Sequence, residues 1–166
     1  RSWTELFFLD EATAFAAGHR PCAYCRRLRY NEFKVAWLEA NRPLLEGQSE
    51  NIQHIDRVVH RERIRRGKKI TYTAPLKSLP SGTIIERKST AYLVWDNALY
   101  EWSFAGYQSR RKIQSNDPVT VLTPRSYVAV FEQGFTPDVH ESVDGRRPPE
   151  SYRTNGRAAA RCTPDH

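Results

Sequence analysis

The chain has 166 residues, of which 39% are hydrophobic and 27% charged, enough to bury one real core or two small ones without disulfide support. It contains no apolar run of membrane-spanning length and no signal-peptide pattern, so a membrane protein is excluded and a cytoplasmic location is expected. The formal net charge of +7 and pI near 9.5 favour anionic partners, nucleic acid foremost.

Thr4-Glu5-Leu6-Phe7-Phe8-Leu9 opens the chain as a short apolar strand pattern. The chain begins at Arg1 and contains no methionine, so its natural start is expected to lie upstream. Asp10 is a suitable N-cap for a helix over Glu11 to Ala17, and Gly18 stands where a terminating glycine belongs. A tight connection, His19-Arg20-Pro21-Cys22-Ala23-Tyr24-Cys25, leads into a second helix over 26–40. There Tyr30, Phe33, Trp37 and Ala40 recur at spacings of 3, 4 and 3, which makes one apolar stripe. Pro43 ends that helix.

A third helix is predicted from Ser49 to Arg65, with Ile52, Ile55, Val58 and Val59 buried and Gly67 as its stop. After Gly67 the period changes to that of strands. Segments 70–73, 83–86, 91–95, 99–102 and 119–122 are short and rich in β-branched and aromatic residues. Asp96-Asn97 between two of them is a hairpin signal. Pro124 to Gln133 reads as a short helix followed by Gly134. The expected class is α+β. Residues 1–67 form a helical, cysteine-bearing part, 68–143 a small antiparallel β-rich part, and 144–166 a disordered tail without hydrophobic periodicity.

Cys22 and Cys25 form a C-x-x-C pair. A tight turn can present both sulfurs to one cation and so supply two of the four ligands that zinc takes. The same spacing also suits a thioredoxin-like redox pair, or two ordinary buried cysteines. The odd total of three cysteines does not suit an extracellular disulfide framework.

The residues around the pair sharpen this reading. Phe8, Glu11-Ala12, Ala16-Ala17-Gly18, Arg20-Pro21-Cys22 and Cys25 resemble, in order and spacing, the metal-binding domain of the Ada-type DNA methylphosphotriester repair and response proteins. The resemblance covers roughly residues 5–27. It implies a strand–helix–turn zinc module of a bacterial type, with Cys22 and Cys25 as ligands. The family carries two further ligands upstream, one of them the methyl acceptor, and these are absent from this sequence. Alkyl transfer is therefore not implied. His19 stands where the family has an aromatic residue and is expected to pack. Within this chain the missing ligands would have to come from His19, His54, His60, His140 or Cys162. His54 and His60 lie about 120° apart around a helix, which makes a poor chelate.

Arg57, Arg61, Arg63, Arg65, Arg66, Lys68 and Lys69 make a dense cationic stretch against Asp56 and Glu62. Such a stretch can neutralise several phosphates at once, or simply be a solvated face. A second cluster, Arg110-Arg111-Lys112, follows Tyr100, Trp102, Phe104 and Tyr107. Those aromatics could stack on bases, though their spacing equally suits a packed sheet. No P-loop, nucleophile elbow, dinucleotide fingerprint or zinc-protease motif occurs.

The expected function is a zinc-binding protein that associates with nucleic acid, DNA before RNA, without demonstrable catalysis. One alternative is a zinc-stabilised nuclease or other phosphate-processing enzyme using His54, Asp56, His60 and Glu62. The other is a protein-interaction module.

Overall fold

The computed structural model describes residues 7–143. Helix α1 (Glu11–Ala16) begins at the predicted cap: the Asp10 carboxylate accepts from the backbone N–H of Thr13 at 2.8 Å and from its hydroxyl at 2.6 Å, satisfying a donor that the first turn leaves open. The helix ends in a Schellman arrangement. The His19 N–H reaches the Ala14 carbonyl and the Gly18 N–H reaches that of Phe15. Gly18 carries φ +78°, a left-handed torsion that a side chain would disfavour.

The strand expected at the start is not formed in its described part. Phe7 to Leu9 is irregular, with the Phe8 ring against His19 at 5.0 Å between centroids and Leu9 packed against the sheet cluster that includes Trp95 and Tyr100. A run this short is ambiguous in periodicity, and here it anchors by packing. Residues 4–6 and the tail from 144 on, Cys162 included, lie outside the described residues.

Helix α2 (Arg27–Asn41) buries Phe33 and Trp37 of the predicted stripe, together with Leu38 and Asn41. Helix α3 (Ile52–Arg63) starts at Asn51, whose side chain accepts from the His54 N–H at 3.0 Å, and buries Ile55, Val58 and Val59. It stops two residues earlier than the sequence suggests. Ile64–Arg65 (β1) turns back on Lys68–Lys69 (β2) through Arg66 and Gly67, which have φ +51° and +74°. Two successive positive torsions are what a two-residue type I′ hairpin needs, so Gly67 builds a turn rather than closing a helix. β-branched Ile64 favours that switch.

The remaining strands form one six-stranded antiparallel sheet. They are β3 (Tyr72–Pro75), β4 (Ile84–Arg87), β5 (Thr90–Trp95), β6 (Ala98–Ser103), β7 (Gly106–Lys112) and β8 (Pro118–Val121), in the order β3-β8-β4-β5-β6-β7. Asp96 and Asn97, at φ +46° and +56°, close the β5–β6 hairpin as their type predicts. Lys88 and Ser89, at φ +52° and +61°, close β4–β5 in the same way without an Asn-Gly signature. Strand β7 was not legible in the sequence: it is a polar edge strand with only Gly106 and Tyr107 buried.

Helix α4 (Arg125–Glu132) follows the sheet and packs back on α2. Its Tyr127, Val130 and Phe131 join Phe15, Phe33, Trp37 and Ile55 in one cluster, while its Val128 joins the sheet cluster of Ile85, Val94 and Val121. Phe15 lies 5.2 to 5.5 Å from the rings of Tyr127, Phe33 and Phe131. The helical core of the first 67 residues is thus completed by a helix from the β-rich part. No helix among the described residues is long and apolar enough to cross a membrane.

Candidate nucleic-acid interface and cysteine turn

The acidic residues near the cationic stretch are engaged by other parts of the chain, Asp56 at the surface and Glu62 half-buried. Asp56 accepts a forked pair of bonds from Arg20, at 2.8 Å from Nε and 2.9 Å from Nη2, and the bond to Asp56 holds the Arg20 pKa above its ordinary value against the cost of burial. Arg20 also lies over the Tyr30 ring, 5.3 Å from its centroid. Glu62 accepts from the backbone N–H of Ser126 at 3.1 Å and from its hydroxyl at 2.7 Å. It therefore sits at the first turn of α4, where unpaired N–H groups and the helix dipole favour a carboxylate. Burial raises the Glu62 pKa above the usual carboxylate value, with the Ser126 bonds opposing.

The cations are left outward. Arg57, Arg61, Arg65, Arg66, Lys68 and Lys69 are all exposed, and among the described residues none of the six takes part in an ion pair. Two come from α3 and four from the hairpin that continues it. Arg63 differs from these six. It is half-buried and lies against Gly18, where a β-carbon would stand 2.5 Å from its Cδ and 2.6 Å from its Nη1.

A cavity of about 400 Å³ opens between the end of α1 and α3, lined by Gly18, His19, Arg20, Asp56, His60 and Arg63 among others. Asp56, His60 and Arg63 follow each other at spacings of four and three, which puts them on one face of α3. That spacing was the available signal, and it is not visible if His54 and His60 are weighed as a pair. Of the four residues of the nuclease alternative, the cavity brings together Asp56 and His60. His54 instead bonds the Ser49 carbonyl at 2.8 Å, and Glu62 is held by Ser126. His140 bonds the Ser142 hydroxyl at 2.9 Å.

Cys22 and Cys25 lie on the turn between α1 and α2, the first half-buried and the second exposed. The Tyr24 N–H points at Cys22 Sγ from 3.4 Å, and the Arg26 N–H bonds the Cys22 carbonyl at 3.0 Å. The described residues contain no group of three or more His, Cys, Asp or Glu placed to hold a metal ion. The two thiols suit zinc in kind but make up only half of its tetrahedral set.

Of the basic residues flanking the pair, Arg26 bonds Glu11 at 2.6 Å and Asp138 at 2.9 Å. Arg29 bonds the same Glu11 at 2.8 Å and lies 4.1 Å above the Phe135 ring. The second basic cluster has a structural setting as well. Tyr100 and Tyr107 are buried in the sheet, and Arg110 Nε bonds the Tyr100 hydroxyl at 3.1 Å. Phe104 alone of that aromatic stretch is fully presented to solvent, at 92% exposure.

No family model matches the chain, and neither a curated protein nor a solved structure is significantly similar to it.

Proposed function

We propose that the protein binds nucleic acid, DNA in preference to RNA, through the outward face of α3 and the β1–β2 hairpin. One observation carries this reading: among the described residues, six exposed cations on one continuous segment lack carboxylate partners, while the two acids of that segment are occupied by Arg20 and Ser126. Segregated charge of this kind costs self-repulsion in the free protein and is relieved by displacing counterions from a phosphate backbone. The groups that meet phosphate are Arg57, Arg61, Arg65, Arg66, Lys68 and Lys69. In the same reading Cys22 and Cys25 give two ligands to a zinc ion that would brace the turn between α1 and α2.

The test is affinity for labelled duplex DNA and for RNA as a function of salt. The logarithm of the binding constant for duplex DNA should fall linearly with that of salt concentration. The triple substitution Arg65→Gln, Arg66→Gln, Lys68→Gln should flatten that slope by about 0.9 for each phosphate that is no longer neutralised. Affinity indifferent to salt would reject the reading. Metal analysis tests the cysteine part: one zinc per chain, absent when both thiols become serine, is the expected result.

A further inference from the structure

Arg63 stands apart from the other cations. Its Nε is buried without a hydrogen-bond partner, and among the described residues no carboxylate pairs with it. Burial lowers its pKa, with Tyr127 opposing, and burial together with the Arg63 charge lowers that of His19. One buried donor without an acceptor is unfavourable, whereas the terminal nitrogens of a guanidinium at a cavity wall can meet water or a ligand. The carboxylate that lines the cavity, Asp56, is already engaged by both nitrogens of the Arg20 fork. Asp56 is thereby committed to Arg20, and no carboxylate of the cavity pairs with Arg63. Its walls offer His19, His60 and Arg63 as donors.

We propose that this cavity, between the C-terminal end of α1 and one face of α3, is a binding site for a phosphate monoester, anchored by Arg63 and flanked by His60 and His19. A planar carboxylate would satisfy one fork and no more. A tetrahedral phosphoryl group has three peripheral oxygens for three donor side chains, and its geometry matches the guanidinium bidentately. At about 400 Å³ the space exceeds a bare ion and admits the esterified group with part of what it is attached to. Gly18 makes the site possible, because a β-carbon there would occupy the place of the Arg63 side chain.

This site is separate from the outward cations, so the two readings fail separately. The experiment is a titration of the full chain with inorganic phosphate at fixed ionic strength, following the histidine ring resonances by NMR. The expected result is saturable movement of His19 and His60, with His54 and His140 still, and with acetate producing no such change. Arg63→Gln should weaken phosphate binding at least about tenfold, as expected for removal of a charged hydrogen bond. His60→Asn, at an exposed position, should weaken it less and guards against misfolding of the first variant, while Arg87→Gln should leave it unchanged. Shifts that never saturate, equal response to acetate, or wild-type affinity in both Arg63→Gln and His60→Asn would overturn the assignment. A nucleoside 5′-monophosphate and a pair of oligonucleotides with and without a 5′-phosphate then separate the sources. Preference for the phosphorylated strand assigns the group to a nucleic-acid end, and preference for the mononucleotide assigns it to a free ligand.

Discussion

The helical half and the sheet half use charge differently. In the helical half, carboxylates tie separate segments together: Glu11 of α1 pairs with Arg26 and Arg29, Asp56 of α3 pairs with Arg20, and Glu62 of α3 accepts hydrogen bonds at the start of α4. In the sheet half, strands are held by their ladders and by apolar residues such as Ile85, Leu93 and Val121, and the one ion pair among the described residues there, Arg87 with Asp117, is exposed at 3.4 Å. Antiparallel pairing specifies its own register through backbone bonds and alternation. Short helices joined by irregular chain have no such ladder, and here carboxylates set their angles.

The sharpest way to break this contrast is Glu11→Ala. Glu11 is only 7% exposed and satisfies two guanidinium groups and the Asp138 N–H, so its removal should destabilise the fold by about 3–5 kcal/mol in denaturant unfolding. A change below about 1 kcal/mol would show that apolar packing alone sets the helices.

A smaller effect is expected at Glu62. Glu62→Gln keeps the shape, removes a charge that burial disfavours and leaves one acceptor fewer for Ser126. The net change at neutral pH should therefore stay within about 1 kcal/mol. Its pKa is raised in the folded state, so the fold takes up this proton before the unfolded chain does. The residue's contribution to stability therefore improves as pH falls through its folded value, and the Gln variant should lack that rise. The least effect belongs to Asp117→Ala on the sheet, within about 0.5 kcal/mol, because an exposed pair is screened by solvent.

Much of the fold was legible. The Asp10 cap, the Gly18 stop, the α2 stripe, the Asp96-Asn97 turn and the return of α4 after Pro124 are all local chemistry, and local chemistry is what a sequence exposes. Two elements were obscured for physical reasons. Strand β7 is an edge with one protected end, so residues 108–112 face solvent and show no alternation. The end of α3 is ambiguous because an Arg-Gly pair serves equally as a helix stop and as a hairpin turn, and only the pairing of Ile64 with Lys69 distinguishes them.

The candidate site was half legible for the same reason. Charge density along 57–69 is a property of sequence, whereas the inward turn of Arg63 depends on α1 lying beside α3. Which carboxylate neutralises which cation is likewise decided by long-range packing, as in Arg20 with Asp56.

Gly18 and Gly67 adopt nearly the same torsion, φ +78° and +74°, yet are constrained to different degrees. At Gly67 nothing lies within 4 Å of where a side chain would grow, so asparagine, which tolerates left-handed backbone, can replace it at small cost. At Gly18 the torsion and the crowding by Arg63 act together. The bend that leads into the cysteines thus asks a new side chain both to take the left-handed torsion and to displace Arg63, whereas the tip of the hairpin asks only the first.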